Sequence, residues 1–174
     1  MRELATSGRI REFMRRLGEA ARHDTRIYLV GGATAVLAGW RTTTIDVDLK
    51  IIPESDEVFR ALPELKEKLR LNVELASPDH FIPPLPGWES RSPFVCREGH
   101  VDWHHYDPYS QVLAKIERGH ERDLTDVREM LRRGWAEPAL LRDLFAQIQP
   151  GLIRYPAVDP ESFARKVDEA LAEP

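Results

Sequence analysis

Residues 26–52, RIYLVGGATAVLAGWRTTTIDVDLKII, constrain the fold of this chain more than any other stretch. An apolar run, Ile27 to Val30, stops at Gly31-Gly32. A short alanine-rich segment follows, and an Asp-x-Asp pair then lies inside a second apolar run. The pattern predicts strand, glycine turn, short helix, strand. On a strand over Ile45 to Ile52 the side chains alternate, so Asp46 and Asp48 share one face about 6.6 Å apart. Two carboxylates roughly 5 Å apart at an effective dielectric near 20 repel by about 3 kcal/mol. Protonating one of them, or placing a cation between them, relieves that repulsion. Oxygen-only ligands with room for phosphate and water suit Mg²⁺ or Mn²⁺. Gly31 and Gly32 let the backbone approach a ligand closely, and the helix start that follows offers N–H groups to a phosphate. Each half alone has an ordinary explanation, a solvated acidic pair or a tight turn. Together, with thirteen residues between Gly32 and Asp46, they describe a place for a nucleoside triphosphate and its metal.

The stretch LVGGATAVLAGWRTTTIDVDL resembles the core of the DNA polymerase beta-like nucleotidyltransferase superfamily, in which a Gly-Gly or Gly-Ser turn precedes Asp-x-Asp. Its spacing, with Arg41 and Thr44 in between, is similar to the nucleotidyltransferase proteins of abortive-infection and type IV toxin–antitoxin kind and their uncharacterised relatives. The likeness continues at KIERGHERDLTDV, Lys115 to Val127, and covers roughly residues 26–130. It implies an α+β fold: a small mixed β-sheet flanked by helices, with a helical C-terminal part. It also implies a metal-dependent transferase that moves NMP from an NTP to a hydroxyl, on the 3′ end of a tRNA or on a partner protein. Asp46 and Asp48 would hold Mg²⁺ or Mn²⁺ with a third carboxylate from a neighbouring strand. Glu74 is the candidate, because LNVELA (71–76) alternates as a strand one helix after the Asp-x-Asp unit, and Asp102 in HVDWHHY is the rival. Gly31 and Gly32 would seat the phosphates, and Arg41 or Thr44 would add a side-chain contact. The resemblance places Lys115 and Asp126 near the active site, where a lysine neutralises triphosphate charge or protonates the leaving pyrophosphate. The alternative is a non-catalytic member that binds a nucleotide or a partner.

At 174 residues, 42% hydrophobic and 31% charged, the chain reads as one soluble domain over 1–174, with a core at 24–130 and a helical part at 135–174. A single cysteine, Cys96, excludes an internal disulfide framework and suits the reducing cytoplasm. No apolar run approaches a membrane span. A net charge of −4 gives no global attraction to nucleic acid, so an RNA contact would need a local patch. A homodimer is compatible with the sequence. Residues 7–22 predict an amphipathic helix rather than a transit peptide, with arginines facing out. A helix from Val58 to Leu69 is expected to break or kink at Pro63. Leu71, Val73 and Leu75 share a core-facing side. The proline-rich segment 77–93 predicts an ordered loop over one edge of the site. SPFVCREGHVDWHHY predicts a hairpin. Its His100, Asp102 and His104 share a face, but they read better as polar residues near the cleft rim than as a zinc site. Asp107-Pro108 opens a helix that either runs through Gly119, aligning Lys115, Arg122 and Asp126, or is divided there.

Overall fold

In the computed structural model, which describes residues 2–172, the strand–turn–helix–strand stretch forms as its sequence predicts. The chain divides into two compact units. One comprises the residues up to Ser77 together with Ser92–Tyr106, and the other Pro78–Arg91 together with the chain from Asp107 onward.

The first unit opens with β1 (Ala5–Thr6) and α1 (Ser7–Ala20), where the Thr6 side chain accepts a hydrogen bond from the Arg9 backbone N–H (3.4 Å). It continues with β2 (Thr25–Val30), α2 (Gly32–Ala38), β3 (Thr43–Thr44), β4 (Asp46–Ile52), α3 (Asp56–Leu69) and β5 (Asn72–Leu75). The hairpin β6 (Phe94–Glu98) and β7 (Val101–His105) completes it. The five longer strands form one mixed sheet in the order β5-β4-β2-β7-β6, and β1 pairs with β3 apart from it. β4 is antiparallel to β2 and parallel to β5, while β2 is parallel to β7.

Alternation divides this sheet into two unlike faces. Val47, Leu49 and Ile51 of β4 turn inward with Ile27, Leu29, Val101 and Trp103. They join Ile10, Phe13, Met14 and Leu17 of α1 and Val58, Leu62 and Leu65 of α3 in one core. The i, i+3, i+4, i+7 spacing on α1 explains why that face, and not its arginines, is buried. The arginines pair with acids on the outer side, Arg15 and Arg16 with Glu12.

Two expectations change and one open alternative is decided. Helix α3 runs unbroken through Pro63, which sits exposed on its solvent side, and ends at Arg70 in the left-handed conformation. Leu75 is half exposed rather than buried with Leu71 and Val73, because β5 is an edge strand and ends there. The helix that begins after Asp107 stops at Gly119.

In the second unit α4 (Pro108–Arg118) and α5 (Glu121–Arg132) are therefore separate helices, followed by α6 (Pro138–Ile148) and α7 (Pro160–Ala172). Asp107 caps α4 through the backbone N–H groups of Tyr109 and Ser110 and is gripped by Arg91 at 2.8 and 3.2 Å. That grip, with buried Ile82 and Leu85, orders the proline-rich segment. Among the described residues no helix is long and apolar enough to cross a membrane. The fold is α+β, a small mixed sheet flanked by helices, as expected.

Candidate active site

The polar face of the sheet carries the residues that the sequence singles out. Asp46 and Asp48 are half-buried on β4, with Val47 turned into the core between them. Register fixes their neighbours: Asp46 lies opposite Asn72 and Asp48 opposite Glu74 on β5, and Asp48 faces Val30 on β2. Cross-strand partners point the same way, so Asp46, Asp48, Asn72 and Glu74 form a patch on one face. Asp102 is on this face too, but its partner is Arg26, four residues along β2 from Val30 and on the strand beyond β2. It is paired with Arg97 at 3.0 Å. Of the two candidates for a third carboxylate, Glu74 is the one beside the pair.

The glycine turn stands against the same patch. Gly31 has φ +61° and ψ −123°, a conformation that side chains resist, and a Cβ there would lie 3.3 Å from Asp48 Oδ2. The bare backbone of Gly31 thus stands directly against the Asp48 carboxylate, an approach that a Cβ would crowd. Gly32 is fixed from another side, because a Cβ on it would collide with the Thr44 side chain. Thr44 is buried and its hydroxyl donates to the Asp46 carbonyl (3.1 Å). Thr44 accordingly packs the glycine turn onto the start of the aspartate strand. Arg41 is half-buried just past the end of α2, with its backbone N–H bonded to Ala35 O (3.2 Å).

Two features of this region escaped the sequence reading. Asn72 donates to Asp46 Oδ1 at 2.6 Å and to Glu74 Oε1 at 2.9 Å. Its i, i+2 relation to Glu74 was visible, but its bond to Asp46 depends on strand register. Beneath the turn, Thr34 donates to Leu29 O (3.1 Å) and so accepts from His105 Nδ1 (3.1 Å). Burial pushes the His105 imidazole down to about 4, and the nearby Arg11 and His104 charges add to the effect.

Lys115 belongs to the second unit, where Gly119 folds α5 back on α4. Its ammonium is buried and contacts Asp126 at 2.7 Å and Asp123 at 3.4 Å, and Arg118 holds Asp123 at 2.7 Å. The zinc alternative finds no support, since its three residues look to different partners. His100 pairs with Asp24, Asp102 with Arg97, and His104 with Ser92 O.

Among the described residues no three His, Cys, Asp or Glu side chains gather into a metal cage. Mg²⁺ seldom uses one, since it binds through one or two carboxylates and fills its remaining positions with water and substrate phosphate. The Asp46–Asp48 pair, oxygen-only, half-buried and with the bare Gly31 backbone against Asp48, fits that donor set. A groove of about 660 Å³ lies between α3 and β5, lined by Phe59, Leu62, Lys66, Val73, Glu74 and Leu75; of the patch it shares Glu74.

No curated protein and no solved structure matches the chain. The family model described as "Nucleotidyltransferase of unknown function (DUF6036)" matches residues 8–149, which include all of the patch, the glycine turn and the Lys115 cluster. With most of its length matched, the chain belongs to this nucleotidyltransferase family.

Proposed function

We propose that the protein is a metal-dependent nucleotidyltransferase that moves NMP from an NTP to an acceptor hydroxyl. The observation that carries this reading is the juxtaposition of Asp46 and Asp48 on one strand face with the glycine turn, whose Gly31 backbone lies against the Asp48 carboxylate. Asp46 and Asp48 would hold Mg²⁺ or Mn²⁺, with Glu74 beside them as the third carboxylate of the patch. The bound cation supplies charge neutralisation at the phosphates and a lowered pKa for the attacking hydroxyl. The chain's own residues orient the reactants. Gly31 and Gly32 let the triphosphate lie close to the backbone, and Thr44 fixes that turn against β4. Arg41 is the cationic candidate for the phosphates. The acceptor oxygen forms a bond to the α-phosphorus as the α–β bridge breaks and pyrophosphate leaves, and the hydroxyl proton passes to a carboxylate or to water.

The acceptor is a hydroxyl of a tRNA 3′ end or of a partner protein, a toxin–antitoxin type of modification. One experiment tests the reaction and names the acceptor class. The full chain is incubated with each α-labelled triphosphate, Mg²⁺, total tRNA and cell lysate, beside Asp46→Asn and Asp48→Asn. The expected result is label on RNA or protein with the wild type and at least a hundredfold less with either variant, while circular dichroism shows both folded. Transfer at the wild-type rate by a folded Asp46→Asn protein would overturn the assignment.

A further inference from the structure

Asn72 and Glu74 are alternate residues of β5, and Asn72 is the cross-strand partner of Asp46. A single nitrogen, Asn72 Nδ2, lies within hydrogen-bond distance of both Asp46 Oδ1 (2.6 Å) and Glu74 Oε1 (2.9 Å). The two oxygens are therefore no further apart than those two bonds laid end to end, a separation at which ionised carboxylates repel. Ionised carboxylates only accept hydrogen bonds, so the amide must turn its nitrogen, and not its oxygen, toward both. Two polarised N–H bonds thus occupy the place between like charges that a cation would otherwise fill.

We propose that Asn72 is a positioning residue of the transfer site. It anchors Asp46 beside Asp48 for the divalent cation, and it ties Glu74 to that pair through an amide rather than as a third direct ligand. The proposal rests on the assignment of Asp46 and Asp48 as the cation-holding pair. Its chemistry requires a donor at position 72, because only a donor attracts two carboxylates at once. An acceptor there would convert the patch from a braced pair into a four-carboxylate cluster with a stronger demand for a cation.

The test is Mn²⁺ binding to the full chain, followed by electron paramagnetic resonance without nucleotide or acceptor. Asn72→Asp keeps the side-chain volume and replaces a donor with an acceptor, and it should bind Mn²⁺ at least tenfold more tightly than the wild type. Asn72→Ala leaves Asp46 unanchored and should bind at least threefold more weakly. In transfer assays Asn72→Ala should lose at least tenfold in kcat with KM for the triphosphate within threefold. Should Asn72→Asp fail to fold, Asn72→Ala decides alone. A residue with only a structural role would lower the melting temperature in both variants and leave Mn²⁺ affinity within twofold of wild type, and that result would overturn the proposal. Absence of Mn²⁺ uptake by both wild type and Asn72→Asp would also overturn it. The expected Mn²⁺ pattern without any label transfer would instead uphold Asn72 and sink the transferase reading.

Discussion

Lys115 is 4% exposed, and two buried carboxylates share its ammonium. Breaking a buried pair by removing one partner leaves an uncompensated charge, which costs about 3–5 kcal/mol. Lys115→Ala should lose stability in that range in urea unfolding, and Lys115→Met with Asp126→Leu should recover most of it. If Lys115 also serves the transfer chemistry, the stabilised double variant will still lack activity. The double variant therefore separates the two roles of the lysine. At this scale the sequence was most informative where chemistry followed a local period. Asp46 and Asp48 are two residues apart, and a strand must place them together. Asn72 was not legible, because its bond to Asp46 spans twenty-six positions and exists only in one register of β4 on β5. Lys115 and Asp126 align in the sequence only on a helix continuous through Gly119, and it is instead the turn between α4 and α5 that brings them together with Asp123 in burial.

At the scale of elements, a hydrogen-bonded chain joins three of them. His105 of β7 donates to Thr34 of α2, which donates to the Leu29 carbonyl of β2, two residues before Gly31. The His105 imidazole titrates at about 4 in the fold against an ordinary 6.5. Its folded pKa is depressed, so the unfolded chain binds the proton first as pH falls. The stability that neutral His105 contributes is complete above pH 6.5 and is lost progressively as pH falls through 4. The shift corresponds to about 3 kcal/mol at the acid end. Chemical denaturation across that window should show this decline in the wild type and a flatter slope in His105→Gln, which is never charged. Element boundaries were read well where caps announced them, as at Asp107-Pro108. Pro63 misled because a proline on the exposed side of α3 is carried by packing of the opposite face, with Val58, Leu62 and Leu65 all buried. Gly119 left two outcomes open, and its left-handed conformation at the end of α4 decided between them.

At the scale of the whole molecule, the sequence showed an α+β class but not the way the chain is shared between two compact units. That division depends on which elements pack together, information held by long-range contacts rather than by any local pattern. The segment 78–91 leaves the first unit between β5 and β6, and its Arg91 is fastened to Asp107 at the start of α4. A chain shortened to end after Tyr106 would keep this segment but remove Asp107, and would strip away the unit in which Ile82 and Leu85 are buried. We expect such a protein to be recovered largely in aggregates, or to lose 78–91 rapidly to limited proteolysis; a soluble, protease-resistant product would contradict this. The interleaving reaches beyond the laboratory. A single crossover between genes inherits one contiguous stretch, and no contiguous stretch here encodes either unit intact. Recombination cannot readily graft the aspartate-bearing sheet onto a new helical unit, so the two units are inherited together and must diversify by point substitution within the same lineage.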